Sequence, residues 1–184
     1  MELFALLSPS VFPLEARTDE KGSRGSAIAL TENLAVTNCH VVVDKSNIFT
    51  NINDKRIYFG PPVGDRKKDI CFITSEEKLR PVSATRNYSD LKVGEKVFAI
   101  GSPKGLRNSF SEGLISGLRI RKGVSVIQTS AAISRGSSGG ALFDAQGRLI
   151  GITTFKVTTG ESLNFAIAID EALKLMPSKT AHAR

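Results

Sequence analysis

The stretch Gly136-Ser137-Ser138-Gly139-Gly140 sets three glycines around two serines. Glycine accepts positive φ at no steric cost, so such a run can bend sharply. A bend of this kind lifts a serine hydroxyl out of the chain. It also turns the N–H groups of Gly136 and Ser138 toward one point. A nucleophile beside two donors that hold an oxyanion is the geometry of an acyl-transfer enzyme. Taken alone, the same run is a Gly/Ser turn between two strands. The rest of the chain must therefore supply a base and a carboxylate.

A serine hydroxyl is a weak nucleophile at neutral pH and needs an adjacent base. The chain has two histidines, His40 and His182. His182 sits in a polar tail and is given no role. His40 follows the apolar run Leu34-Ala35-Val36-Thr37, at a strand end where a side chain can face a cleft. A lone histidine beside apolar residues is usually structural, but a matching serine loop changes that reading. The third group must orient the imidazole and stabilise its cation. Asp69 directly precedes Ile70-Cys71-Phe72-Ile73, where a carboxylate is costly unless it has a partner. Asp44, Asp54 and Asp65 lie in polar loops and need none. The order His40, Asp69, Ser138 is that of chymotrypsin-like barrels, not of subtilisins or α/β-hydrolases.

The elements that must position these groups read as short strands between turn signals, an all-β pattern. Expected strands are 11–16, 25–30, 34–37, 40–43, 47–51, 56–59, 69–73 and 82–85 in the first half. In the second they are 96–101, 109–118, 125–129, 141–143, 148–152 and 163–169. A polar stretch at 87–93 suggests two lobes, residues 1–88 with His40 and Asp69 and residues 89–184 with Ser138. Residues 170–176 have helical spacing, with Asp170 as the expected N-cap and Pro177 as the stop.

Length and composition fit this. The chain has 184 residues, 41% hydrophobic and 23% charged, enough for one large domain or two lobes. The net charge is +7, yet the basic residues are dispersed. The densest runs, Arg66-Lys67-Lys68 and Arg119-Ile120-Arg121-Lys122, lack interleaved aromatics, so they read as solvated loops and not as a nucleic-acid platform. Two cysteines make no disulfide framework. Cys71 reads as a buried small hydrophobe, and a Cys39–Cys71 bridge as the less favoured alternative. No C-x2-C or H-x3-H spacing exists, so neither metal nor other cofactor is expected. No run is long and apolar enough for a membrane span. The start, Met1-Glu2-Leu3-Phe4-Ala5-Leu6-Leu7, lacks a basic region and a long apolar core, so the sequence as given reads as cytoplasmic, or as extracytoplasmic if a leader has been trimmed.

Several stretches resemble the protease domain of the HtrA (DegP-like) serine proteases, within the trypsin-like superfamily. They are Gly25-Ser26-Ala27-Ile28-Ala29, Val36-Thr37-Asn38-Cys39-His40-Val41-Val42, Lys68-Asp69-Ile70, the run from Gly94 to Leu106, Glu112-Gly113-Leu114-Ile115-Ser116, the serine stretch, and Leu163-Asn164-Phe165-Ala166-Ile167. The resemblance implies two six-stranded antiparallel β-barrels with the cleft between them, and hydrolysis of exposed polypeptide. It implies an oxyanion hole at Gly136, Ser137 and Ser138. It also implies that Ala132 and Ile133 line the pocket for the residue at the scissile bond, an apolar pocket with no acid. Thr153-Thr154-Phe155 would pair with the substrate backbone. Homo-oligomerisation is left open. The sequence departs from the family pattern at Ser134-Arg135, where Asn-Pro is common, at Ser137 in place of Asn, and at Cys39 in place of Ala. No PDZ domain is expected to follow. With Ser137 uncharged, no freed N-terminal amine is expected to set the oxyanion loop, and Arg135 in place of proline is expected to leave that loop freer. The rival class is a protease-fold binding module without chemistry.

Overall fold

The computed structural model describes residues 2–102, 108–154 and 164–178. The chain opens with a short helix, α1 (Glu2–Leu7), and a 3-10 turn at Ser8–Ser10. Seven strands follow: β1 (Val11–Arg17), β2 (Gly22–Ala29), β3 (Leu34–Thr37), β4 (Asn47–Ile52), β5 (Lys55–Phe59), β6 (Val63–Asp65) and β7 (Ile70–Thr74). A single turn of helix, α2 (Cys39–Val42), lies between β3 and β4. The second half holds β8 (Lys96–Gly101), β9 (Ser109–Arg121), β10 (Val124–Thr129), β11 (Ala141–Asp144), β12 (Leu149–Thr154) and β13 (Asn164–Ala168), then the helix α3 (Ile169–Leu175).

The second half closes as expected into a six-stranded barrel, in the order β10-β13-β12-β11-β8-β9. The first half does not close. It is a seven-stranded sheet in the order β5-β4-β1-β2-β3-β7-β6, with β5 and β6 as its edges. The strands there are short, three to eight residues, and β6 has only three. All its pairings are antiparallel.

Three apolar clusters hold these layers. One lies under the open sheet around Leu14, Ala27, Val41 and Ile73. A second fills the barrel around Val97, Ile127, Leu142 and Ile150. The third joins the two halves: Ile28, Val36, Ile70 and Phe72 of the sheet meet Ile100, Phe143, Leu149 and Ile152 of the barrel. Burying side chains of this size stabilises by about 1.5–3 kcal/mol each, so the two halves are locked in one arrangement. The functional groups lie along that seam.

Several local expectations are corrected. Residues 39–42 are helical, not a strand, because β3 ends at Thr37 and Asn38 takes extended backbone angles as the N-cap of α2. Residues 82–85 form no strand; Thr85 makes one isolated parallel bridge to Leu149. Asp170 is not the N-cap of α3. That position is Ala168, with no side-chain cap, and the Asp170 carboxylate instead accepts the Tyr88 N–H at 2.9 Å. Lys68 is not a solvated lysine, since its ammonium lies 3.0 Å from the buried carboxylate of Glu171. Among the described residues no helix is long and apolar enough to cross a membrane.

Candidate active site

His40 is held by Asp69 at two points, one on the ring and one on the backbone. Its Nδ1 lies 2.7 Å from Asp69 Oδ2, and its backbone N–H donates to Asp69 Oδ1 at 2.9 Å. With Nδ1 facing a carboxylate, the ring proton belongs on Nδ1 and Nε2 is left as the acceptor. The Asp69 side chain is 14% exposed and that of His40 is 48% exposed, so the carboxylate is sheltered while the ring faces solvent. Asp69 sits at φ 60, a left-handed conformation that Asp tolerates better than most residues. Its carbonyl accepts the Asn38 side-chain amide at 3.0 Å and the Cys39 N–H at 3.4 Å. These bonds hold the strained turn in front of α2.

A covalent tie reinforces the same junction. Cys39 and Cys71 are bridged, which overturns the reading of Cys71 as a free buried hydrophobe. The physical reason is register. Thr37 pairs with Cys71 across β3 and β7, and the chain turns into α2 two residues later, so the two Cα atoms come within 4.8 Å. The bridge thus links the residue before His40 to the second residue after Asp69.

Ser138 is 5% exposed, in a loop pinned from both halves. The Ser26 N–H donates to the Ser138 carbonyl at 2.8 Å, and the Ser26 hydroxyl donates to the Gly136 carbonyl at 3.1 Å. The Thr153 hydroxyl and the Gly140 N–H donate to the Ser137 carbonyl at 2.8 and 2.9 Å. The Gly139 N–H donates to the Thr153 carbonyl at 2.8 Å. The three carbonyls of residues 136–138 are therefore all turned into the framework. The Ser137 N–H closes a turn onto the Ser134 carbonyl at 2.9 Å with Gly136 at φ 93, the form of a type II turn. The Gly136 N–H has no partner among the described residues, although Gly136 is buried.

Two glycines bring the loop to the sheet. A Cβ on Gly139, which has φ +88, would lie 2.1 Å from the Ser26 carbonyl oxygen and 2.4 Å from Thr37 Oγ1. A Cβ on Gly25 would lie 2.7 Å from Val41 Cγ2 and 2.9 Å from the Ser138 carbonyl oxygen. The helical turn that carries His40 and the loop that carries Ser138 thus meet across one glycine. Ser26 joins them, with its carbonyl accepting the Thr37 hydroxyl at 2.7 Å and its hydroxyl oxygen accepting the Ser102 N–H at 2.9 Å.

Beside the loop is a cavity of about 290 Å³ that Ala132, Ile133, Ser134, Ser137 and Thr153 line, together with Gly101 and Phe110 across it. Among the described residues no acidic side chain lines it. Ala132, Ile133 and Thr153 are thus brought together. Thr154 lies apart and lines a different cavity. Phe155 falls outside the described residues. Among the described residues no group of His, Cys, Asp and Glu could hold a metal ion. The positioning groups Ser26, Thr37 and Asn38 are not singled out from sequence, and the Cys39–Cys71 bridge is only the less favoured reading there. Ser26, Thr37 and Asn38 do fall inside the stretches that carry the resemblance, but no chemistry of their own marks them.

A family model described as Trypsin-like peptidase domain matches residues 25–152. The chain belongs to the trypsin-like peptidase domain family. This trypsin-like domain is 37% identical over 168 residues to a probable periplasmic DegP-like serine endoprotease of Halomonas elongata, covering 86% of the chain and 35% of that protein. It is 36% identical to the chloroplastic Protease Do-like 1 of Arabidopsis thaliana, over 86% of the chain and 39% of that protein. Its identity to serine protease HTRA1 of Xenopus tropicalis is 35%, over 96% of the chain and 39% of that protein. The trypsin-like domain therefore spans somewhat over a third of the length of these relatives. Among solved structures, the HtrA-type protease AlgW with a tripeptide superposes with TM-score 0.84 at 30% identity, over 94% of this chain and 60% of that one. Deg5 superposes with TM-score 0.78 at 30% identity, over 94% and 90%.

Proposed function

We propose that this chain is a serine endopeptidase domain that cleaves exposed polypeptide through His40, Asp69 and Ser138. The observation that carries the reading is the 2.7 Å pair between His40 Nδ1 and Asp69, held one glycine away from a serine loop whose carbonyls all face inward. His40 Nε2 takes the proton of Ser138 Oγ as that oxygen attacks a peptide carbonyl. Asp69 keeps the tautomer and stabilises the imidazolium. The carbonyl oxygen becomes an oxyanion, which the Gly136 and Ser138 N–H groups receive. This gives the unpartnered Gly136 N–H a purpose. His40 then protonates the leaving amine, and water enters in its place. The second half repeats the transfer on the acyl-enzyme, with His40 drawing a proton from water and Ser138 leaving as the hydroxyl.

The cavity beside Ala132 and Ile133 takes a small or medium apolar side chain at the scissile residue. A Cys39–Cys71 bridge suits an oxidising compartment. The test is hydrolysis of casein and of short peptides by the wild-type chain and by Ser138→Ala. The reading expects hydrolysis by the first alone, with most cuts after apolar residues. Cleavage by the variant at the wild-type rate, or cuts mainly after Arg, would count against it.

A further inference from the structure

A second cavity, also about 290 Å³, opens beside Thr154, and Lys67, Lys68, Arg121 and Lys122 stand around it. Its floor is apolar: Val124 and Val126 of β10, and Phe165 and Ile167 of β13. From sequence alone these basic runs are solvated loops.

The four cations are not equivalent. Lys68 is taken up by the carboxylate of Glu171, which also accepts the Ser125 N–H at 3.3 Å and lies 3.9 Å from Lys174. Burial pushes the Glu171 carboxyl up, but Lys68, the Ser125 N–H and Lys174 together hold it below its ordinary value. Asp65, two residues before Lys67, accepts the N–H groups of Lys67 and Lys68 on Oδ1, at 2.9 and 3.2 Å. That leaves Lys67, Arg121 and Lys122 without an acidic partner among the described residues. The guanidinium carbon of Arg121 lies over the Phe165 ring, 4.9 Å from its centre. Lys122 is held out at the tip of the β9–β10 hairpin by a turn with positive φ at both Lys122 and Gly123.

The cavity is in line with the candidate active site. Thr153 is tied to the serine loop through Gly139 and Gly140. Thr154 is the next residue of β12. Its β13 side pairs with Phe165, while β11 stops pairing at Ala141 opposite Ile152. The other side of Thr154 therefore carries no strand among the described residues. Thr154 Oγ1 is buried with no hydrogen-bond partner among the described residues, in a residue only 8% exposed. An extended substrate can add to such an edge. If it runs antiparallel to β12 with its scissile carbonyl at Ser138, its upstream residues lie along Thr154 and over this cavity. At about 3.3 Å per residue, the second to fourth residues before the scissile bond come within reach.

We infer that this basic cavity is a subsite for an acidic side chain two to four residues upstream of the cleaved bond, so that the domain selects segments with an acid followed by an apolar scissile residue. Lys67 and Lys122 supply the charge, Arg121 adds a cation seated over the Phe165 ring, and the apolar floor carries the methylenes of a glutamate. This deepens the peptidase reading and rests on it for the direction of the substrate.

The test uses two fluorogenic peptides with the same apolar scissile residue, one with Glu and one with Ala at the second to fourth upstream positions. Cleavage is measured with the wild-type chain and with a Lys67→Glu/Lys122→Glu double variant. Binding of the same peptides is measured by fluorescence polarisation on Ser138→Ala, with and without the two lysine changes. The expected preference for the Glu peptide is about fivefold in both kcat/KM and Kd, the size of a few partly exposed ion pairs. It should shrink at about 0.5 M salt, where the Debye length is only a few ångströms, and invert in the double variant. A preference within twofold in both assays overturns the inference while leaving the peptidase reading intact. No cleavage of either peptide, with fivefold tighter binding of the Glu peptide, overturns the peptidase reading and supports the subsite. No binding and no cleavage of either peptide overturns both.

Discussion

Gly139→Ala is the sharpest test of how the serine loop is seated. The new Cβ would stand 2.1 Å from the Ser26 carbonyl oxygen and 2.4 Å from Thr37 Oγ1, at a φ of +88. The positive φ alone costs an alanine about 1–2 kcal/mol. The collision cannot be relieved by a side-chain rotation, because Ser26 O is the backbone of β2 and already accepts the Thr37 hydroxyl. The loop must lift, which strains or breaks the Ser26 N–H bond to Ser138 and the Gly139 N–H bond to Thr153. Overpacking adds about 1–3 kcal/mol and each of the two weakened hydrogen bonds about 1 kcal/mol, for a total with the backbone term of about 4–7 kcal/mol. Gly123→Ala is the control. Gly123 has φ +76 but nothing within 4 Å of its Cβ position, so it should cost only the backbone term. The chain has no tryptophan, so urea unfolding is best followed by circular dichroism. With a slope of about 2 kcal/mol per molar, the Gly139→Ala midpoint should fall about 1 M or more below that of Gly123→Ala. Labelling of Ser138 by a fluorophosphonate should also slow by about a hundredfold, the scale of a displacement near 1 Å. Equal midpoints for the two variants, with labelling at the wild-type rate, would refute the seating described here.

Reduction of Cys39–Cys71, or replacement of both cysteines by alanine, should cost about 3–4 kcal/mol, as expected for a cross-link between residues 32 apart in sequence. It should also lower kcat by loosening the junction of His40 and Asp69; a melting temperature unmoved by reductant would contradict this. Lys68→Ala should cost about 1–3 kcal/mol by leaving the buried Glu171 carboxylate short of its main partner, read as a lower urea midpoint. Glu171 is held below its ordinary value of 4.5, so its contribution to stability is present above that pH and is lost as pH falls through the lower folded value. The midpoint advantage of wild type over Glu171→Gln should therefore be full at about pH 7 and shrink steadily as the pH is taken below 4.5; an advantage that does not shrink in acid would refute it. Ser26→Ala removes the hydroxyl that serves both Gly136 and Ser102, and should slow fluorophosphonate labelling more than it lowers stability.

Much of this site was legible because its chemistry is local. Gly136-Ser137-Ser138-Gly139-Gly140 announces a sharp turn by composition alone, and Asp69 is conspicuous as an acid at the mouth of an apolar strand. The barrel strands were legible for the same reason, since each hairpin is closed by its own turn. What was hidden depends on register and on long-range contact. The Cys39–Cys71 bridge follows from Thr37 pairing with Cys71, which neither cysteine's neighbours reveal. Ser26 joins residues more than a hundred positions away, and nothing in its own surroundings separates it from an ordinary strand serine. The opening of the first sheet is hidden from the sequence because closure is decided by whether short edge strands such as β6 find partners. Asp170 was read as a cap because the pattern Asp before an apolar run is ambiguous until Tyr88 is brought beside it.

The central claim is that His40, Asp69 and Ser138 act as one nucleophilic unit. Intact-mass analysis after exposure to a fluorophosphonate tests it most directly. The account predicts a single adduct on the wild-type chain, mapped to Ser138, no adduct on Ser138→Ala, and labelling slowed by about a thousandfold or more in His40→Ala with the fold retained. A folded wild-type chain that takes no adduct, or an adduct of equal rate in His40→Ala, would contradict it.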